Sequence, residues 1–260
     1  MVSGKTEAQM EPPQHKDSAP NGHLPNAAQI YVWSVIVLSL PVLALSVYRS
    51  VSEGPGWVYL AGLTVLASLF SVRIPLLNLK SGSLTISVND AFVFVAILLF
   101  SPEVAALIAA IEGFTASLRY RVQKTYKKIF NIGVLTLVTF AVGRLLLAVK
   151  RGLSLPADQT SFLQLLAIVL GAGIIYFLLN SILVAFAISL ASGNSLLEIW
   201  RRNFALLWWA NLVNEATAAI IFFYFRPANW GVLLLGIPLA LVVLSSRRIS
   251  LSRTSQPRTA

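Results

Sequence analysis

Cysteine is absent from this 260-residue chain, which excludes disulfides, thiolate metal sites and cysteine nucleophiles. Histidine is nearly absent. His15 and His23 both lie in the polar first 27 residues, so the apolar remainder has no imidazole for metal binding or proton transfer. Charge is scarce as well: 12% of residues, against about 25% in a typical soluble domain. Hydrophobic residues make up 57% and the mean hydropathy is +0.76. So few charges cannot cover a water-soluble globule of this size, and bilayer is the solvent that fits. The phosphate, zinc, serine-hydrolase and dinucleotide motifs GxxxxGK[ST], HExxH, GxSxG and GxGxxG are all missing. No polar stretch is long enough for a catalytic domain. The expectation is a non-enzymatic membrane protein with no cofactor, no metal site and no catalytic residue.

The charges that are present are mostly basic, 20 Lys and Arg against 10 Asp and Glu. They flank apolar runs, where they orient helices and meet anionic lipid heads. A nucleic-acid partner would instead require a basic face on a soluble fold, and none is expected.

Residues 1–27 are polar and contain Pro12, Pro13, Pro20 and Pro25, a composition that reads as a disordered tail and not as a signal peptide. Residues 28–244 form the transmembrane domain, with eight apolar segments: Ala28–Tyr48, Trp57–Val72, Ser87–Phe100, Glu103–Leu118, Phe130–Val149, Phe162–Ala191, Phe204–Phe225 and Trp230–Leu244. Residues 245–260 are a basic C-terminal tail. The sixth segment could reach about 45 Å and must tilt or project. The second, third and fourth are shorter than the roughly 20 residues of a usual span. Ser87–Leu118 could therefore be two short crossings or one helix kinked at Pro102.

Charge separates those two readings. With eight crossings and the N-terminus inside, 15 basic residues fall on the cytoplasmic side and four, Arg49, Lys150, Arg151 and Arg226, on the other. Seven crossings divide the same charges 12 to 7. The positive-inside rule favours the first. The expected fold is an all-α polytopic bundle of about eight spans with both termini cytoplasmic. Residues 74–87, IPLLNLKSGSLTIS, stand apart: they read either as an extended or re-entrant stretch or as an ordinary cytoplasmic loop.

Ionisable groups inside spans are costly, so each needs a reason. Asp90, Glu112, Arg144 and Glu215 are such groups. Asn211, Asn214 and Glu215 have i, i+3, i+4 spacing and share one helix face, which should turn inward. Glu112 shares a face with Thr115 and Arg119, and Asn180 follows Tyr176 by one turn. These seven, Asp90, Glu112, Arg144, Asn180, Asn211, Asn214 and Glu215, are the candidate ligand or polar-core residues. They could form a polar pocket or an ion relay, or serve as interhelical glue with Arg144 neutralising Glu112 or Glu215. Gly171, Gly173, Ala105, Ala106, Ala109 and Ala110 are read as close-packing positions.

Three stretches together resemble a bacterial multi-pass sensor-like domain found N-terminal to HD-GYP or GGDEF outputs: SVNDAFVFVAILLFSPEVAALIAAIEGF, KKIFNIGVLTL with Phe130 and Asn131, and the run from Tyr176 to Phe204. The resemblance covers roughly residues 28–248 and implies a membrane-embedded sensor. Asn131, Asn180 and Asn203 match it as pattern positions only. The sequence ends in SSRRISLSRTSQPRTA rather than an output domain, so the enzymatic function is not expected to carry over. The hairpin around Pro102 is also similar to vitamin-binding S-components of energy-coupling-factor transporters, which have six spans. The expected function is thus a sensor or scaffold module of the inner membrane acting through a signalling partner or as a homo-oligomer. A transporter or substrate-binding subunit is the alternative.

Overall fold

A computed structural model describes residues 24–69, 72–75, 83–86, 89–119, 124–153, 161–205 and 207–225. Residues 1–23, the C-terminal tail and the eighth apolar segment lie outside the described residues, and the last two residues of the polar N-terminal stretch, Asn26 and Ala27, belong to the first helix. Seven of the apolar segments appear as helices: α1 (Asn26–Ser52), α2 (Gly56–Leu69), α3 (Asn89–Leu99), α4 (Pro102–Arg119), α5 (Thr125–Gly152), α6 (Phe162–Ser192) and α8 (Trp208–Phe225). Between α6 and α8 lies a further short helix, α7 (Leu196–Asn203), where the sequence reading had a connecting loop. α1, α5 and α6 are long and apolar enough to cross a membrane, and α7 with α8 would pass the same test as one span bent by 62°. α2 and α3 are shorter apolar helices.

The helical class holds, and the stretch set apart as extended or loop takes part in one short pair of strands. Val72–Pro75 (β1) pairs antiparallel with Ser83–Ile86 (β2), in the register Val72 to Ile86 through Pro75 to Ser83. Two strands with no third neighbour leave the molecule a helical bundle with one hairpin inserted between α2 and α3. The alternating LTIS end of this stretch is the local signal for the second strand.

α3 lies at the centre. Ala91 and Val93 through Leu98 are all buried. A helix apolar all round must be enclosed by protein or lipid, and α3 packs on α2, α4 and α8. That enclosure explains how an 11-residue helix exists in this bundle. The chain turns at Ser101. Pro102 occupies the first position of α4, where its missing N–H and fixed φ cost nothing. The Ser101 hydroxyl accepts from the Val104 N–H at 3.3 Å, and the Ser101 N–H donates to the Glu53 carboxylate at 3.1 and 3.3 Å.

Contacts along the helices fix their directions. Tyr31 near the start of α1 packs on Phe130 near the start of α5, and Gly133 of α5 lies against Ser39 of α1. α1 and α5 therefore run parallel. α4 runs opposite to α5, since Gly143 meets Pro102 while Gly113 meets Ile132 and Leu135. Tyr31 also donates to the Leu183 carbonyl at 3.1 Å and packs edge-on to Phe186, near the C-terminal part of α6. One end of the bundle thus holds Tyr31, Phe130 and Phe186. The other holds Glu53, Ser101 and Pro102.

α6 begins with a capping box between Ser161 and Gln164 and ends at Gly193, whose φ of 73° is left-handed. α7 then folds back along it: the Trp200 indole N–H donates to the Ser181 hydroxyl at 2.8 Å, and its ring packs on Phe177. The sixth segment's excess length is therefore partly matched by a helix lying alongside its last turns.

Candidate functional site

The intramembrane polar groups collect where α3, α4, α5, α6 and α8 approach one another. α8 brings Asn211, Asn214 and Glu215 on its buried face, at 9%, 7% and 0% exposure. Asn211 is anchored, its side-chain amide donating to the Gly173 carbonyl of α6 at 3.1 Å. Glu215 is seated against the same glycine. A Cβ at position 173 would lie 2.4 Å from its Cγ and 2.8 Å from its Cδ. Gly173 is glycine because the glutamate side chain occupies the space a methyl would need. Gly171, two residues earlier, has open space around it and makes no comparable approach.

One turn past Gly173, Tyr176 enters the same region. Its ring is 1% exposed and stacks edge-on with Phe94 of α3 at 5.3 Å. Its hydroxyl lies close to Thr139 of α5 and within interaction range of Asp90, Glu112 and Glu215. Neither the Tyr176 nor the Thr139 oxygen completes a hydrogen bond, and both carboxylate oxygens of Glu215 lack one too. Acids from α3, α4 and α8 thus lie within electrostatic range of one buried phenol.

Asp90 and Glu112 reach this point by symmetry about the turn. Asp90 is 11 residues before Ser101 and Glu112 is 11 after it. A continuous helix would separate them by about 33 Å, whereas both lie in range of Tyr176. α3 and α4 are two separate helices that meet at Ser101 and pack on each other.

Arg144 is elsewhere. It pairs with Glu103 in the first turn of α4 and lies 5.1 Å over the Phe140 ring. The expectation that it neutralises Glu112 or Glu215 is corrected: Glu103 takes that role, at the end of the bundle where Pro102 meets Gly143. Asn180 is half-buried, one turn beyond Tyr176. Thr115, on the Glu112 face, is buried and bonded to the Ile111 carbonyl, while the Arg119 side chain lies outside the described residues. Ala105, Ala106, Ala109 and Ala110 are all buried, on a helix whose main neighbour is α5.

The sequence reading passed over Tyr176, Thr139, Glu103 and Glu53. Tyr176 and Thr139 carry no charge and look like ordinary span residues. Glu103 and Glu53 sit at helix ends, where acids are commonplace. The one signal available was that a buried glutamate needs a small residue opposite it, and Gly173 in LGAGIIYF is such a residue.

This is a helical membrane protein in which Glu103, Glu112 and Glu215 are buried inside the bundle. A family model, MASE9, matches residues 63–251, from α2 through every element of the polar cluster. The chain belongs to the MASE9 family of membrane-associated sensor domains. No curated protein and no solved structure matches it.

Proposed function

We propose that this chain is a sensor module of a bacterial inner membrane that receives its signal at the buried acid cluster and passes it to a signalling protein or a second copy of itself. The observation that carries this reading is Glu215, fully buried with both oxygens unsatisfied, held in the α6–α8 contact of a MASE9 chain. Each unsatisfied polar group costs several kcal/mol in hydrocarbon, so an acid retained there is a functional position by default. On this reading the module performs no reaction itself. It crosses the bilayer eight times with both termini cytoplasmic. The 15-to-4 division of basic residues supports that topology. The parallel α1 and α5 support it too, since three crossings in between, by α2, α3 and α4, reverse the chain four times and return it to its starting direction.

The test is capture of the tagged chain from native membranes after cross-linking, in wild-type and Glu215→Gln forms. A defined partner, or the chain itself, should be recovered with the wild type, in a proportion that the Gln form changes. Recovery of both forms alone and monomeric would overturn the reading.

A further inference from the structure

The acid cluster has the makings of a ligand site, and its packing restricts what the ligand can be. Glu215 is 0% exposed, and neither carboxylate oxygen meets a donor. The Tyr176 hydroxyl is an independent second observation: its residue is 1% exposed, the oxygen lacks a hydrogen bond, and it lies within electrostatic range of Asp90, Glu112 and Glu215. Asp90 is in range of Glu215, so ionisation of both would place like charges together in a medium that screens poorly.

A metal ion does not fit. Among the described residues no three acids close on a point as metal ligands. An organic cation does not fit at Glu215 either, because the α6–α8 contact there has no room for one added methyl. The geometry points to a proton as the ligand: Glu215 is a proton-binding site, and the α6–α8 contact is the element that its occupancy controls. The inference deepens the sensor reading and rests on it for the meaning of the signal.

The mechanism follows from solvation. A neutral carboxylic acid can rest against the Gly173 backbone with little penalty. An ionised one at the same place has lost its water and gained no donor in exchange. Releasing the proton therefore favours an arrangement in which α8 draws Glu215 away from Gly173 towards water. The Asn211 bond to the Gly173 carbonyl is a single neutral hydrogen bond, a small restraint against that motion. The titratable groups facing the site are Asp90 from α3, Glu112 from α4 and Tyr176 from α6. Lys150 of α5 lies over Phe222, two turns further along α8.

Two measurements on the full chain in lipid nanodiscs test this. The first is the infrared C=O stretch of a protonated carboxylic acid at neutral pH, which should be present in the wild type and diminished in Glu215→Gln. The second uses the absence of cysteine. Ala218→Cys, fully buried on α8 one turn after Glu215, should react with a water-soluble thiol reagent faster as pH rises, after correction by an exposed Ser195→Cys control. In the Glu215→Gln background the corrected rate should stay low and flat. Tyr176→Phe, which keeps the ring packing, should shift the profile without abolishing it and guards against a Gln variant that folds poorly. An unchanged infrared band in Glu215→Gln, or a flat corrected profile in the wild type, overturns the proton site. Neither readout involves a partner, so their failure is distinct from failure of the capture experiment.

Discussion

At the scale of single residues, Gly173 carries the sharpest expectation. Gly173→Ala places a methyl 2.4 Å from the Glu215 Cγ, a separation at which the side chain or the helix must shift. Overpacking of this kind costs about 1–3 kcal/mol, and the variant should melt measurably lower in detergent. Gly171→Ala, with open space around it, should be neutral or slightly stabilising through helix propensity. Equal melting temperatures for the two variants would contradict the seating of Glu215. The pair Arg144 and Glu103 yields a second, directional expectation. Glu103 is 4% exposed and Arg144 is about half exposed. Arg144→Gln leaves a buried carboxylate without its counter-charge, whereas Glu103→Gln leaves a cation that can turn to water. Arg144→Gln should therefore destabilise more, and the double variant should recover part of the loss. How far such residues could be read in advance differs case by case. The spacing of Asn211, Asn214 and Glu215 establishes that they share a face, because helical periodicity is local. The partner of Arg144 depends on which turn of α5 meets the start of α4, and only the packed structure contains that information.

At the scale of elements, the turn at Ser101 is the joint on which the acid cluster depends. Glu53 ties the end of α1 to it through two bonds to one N–H. Glu53→Ala leaves that N–H unsatisfied in a half-buried position, a loss of about 1–2 kcal/mol, and should also lower the melting temperature. The ends of α6 followed the limits of the apolar run Phe162–Ala191, and the structure adds what stops the helix there, a Ser-x-x-Gln box at Ser161 and a left-handed glycine at 193. α7 was not. Its eight residues carry Glu198, Arg201 and Arg202 between Leu196, Ile199 and Trp200, and a search for long apolar runs passes over such a helix. Its place is set by Trp200 meeting Ser181, a tertiary contact with no local trace. The strand pair was half legible. Alternation marked the Ser83 side, while its partner, Val72–Pro75, was divided between the end of the apolar segment Trp57–Val72 and the start of the stretch 74–87.

At the scale of the whole molecule, the order of helices along the chain and their inward polar faces followed from hydropathy and spacing, since lipid enforces both. The count of crossings rests on charge together with helix direction, and it has a direct check. Ser52→Cys at the end of α1 and Ser195→Cys before α7 are both exposed. In intact cells an impermeant thiol reagent should label Ser52→Cys and spare Ser195→Cys until the membrane is opened. Labelling of both, or the reverse order, would sink the eight-crossing arrangement.

The contrast between α2 and α3 has a consequence for the surrounding lipid. α3 is short but walled in by other helices, so acyl chains never meet it. α2 is also short, 14 residues or about 21 Å, yet Val58, Tyr59 and Leu66 are exposed on its outer side. Lipids packed against that flank face a wall shorter than the roughly 30 Å hydrocarbon core and must compress to match it. The long α6, 31 residues, imposes no such demand on its own flank. The bundle is therefore expected to deform its bilayer unevenly and to be more stable in nanodiscs of short-chain phosphatidylcholine than of long-chain lipid, a difference that melting temperatures across a chain-length series would display directly. Membrane thickness would then act on the fold from the side of α2, independently of any ligand.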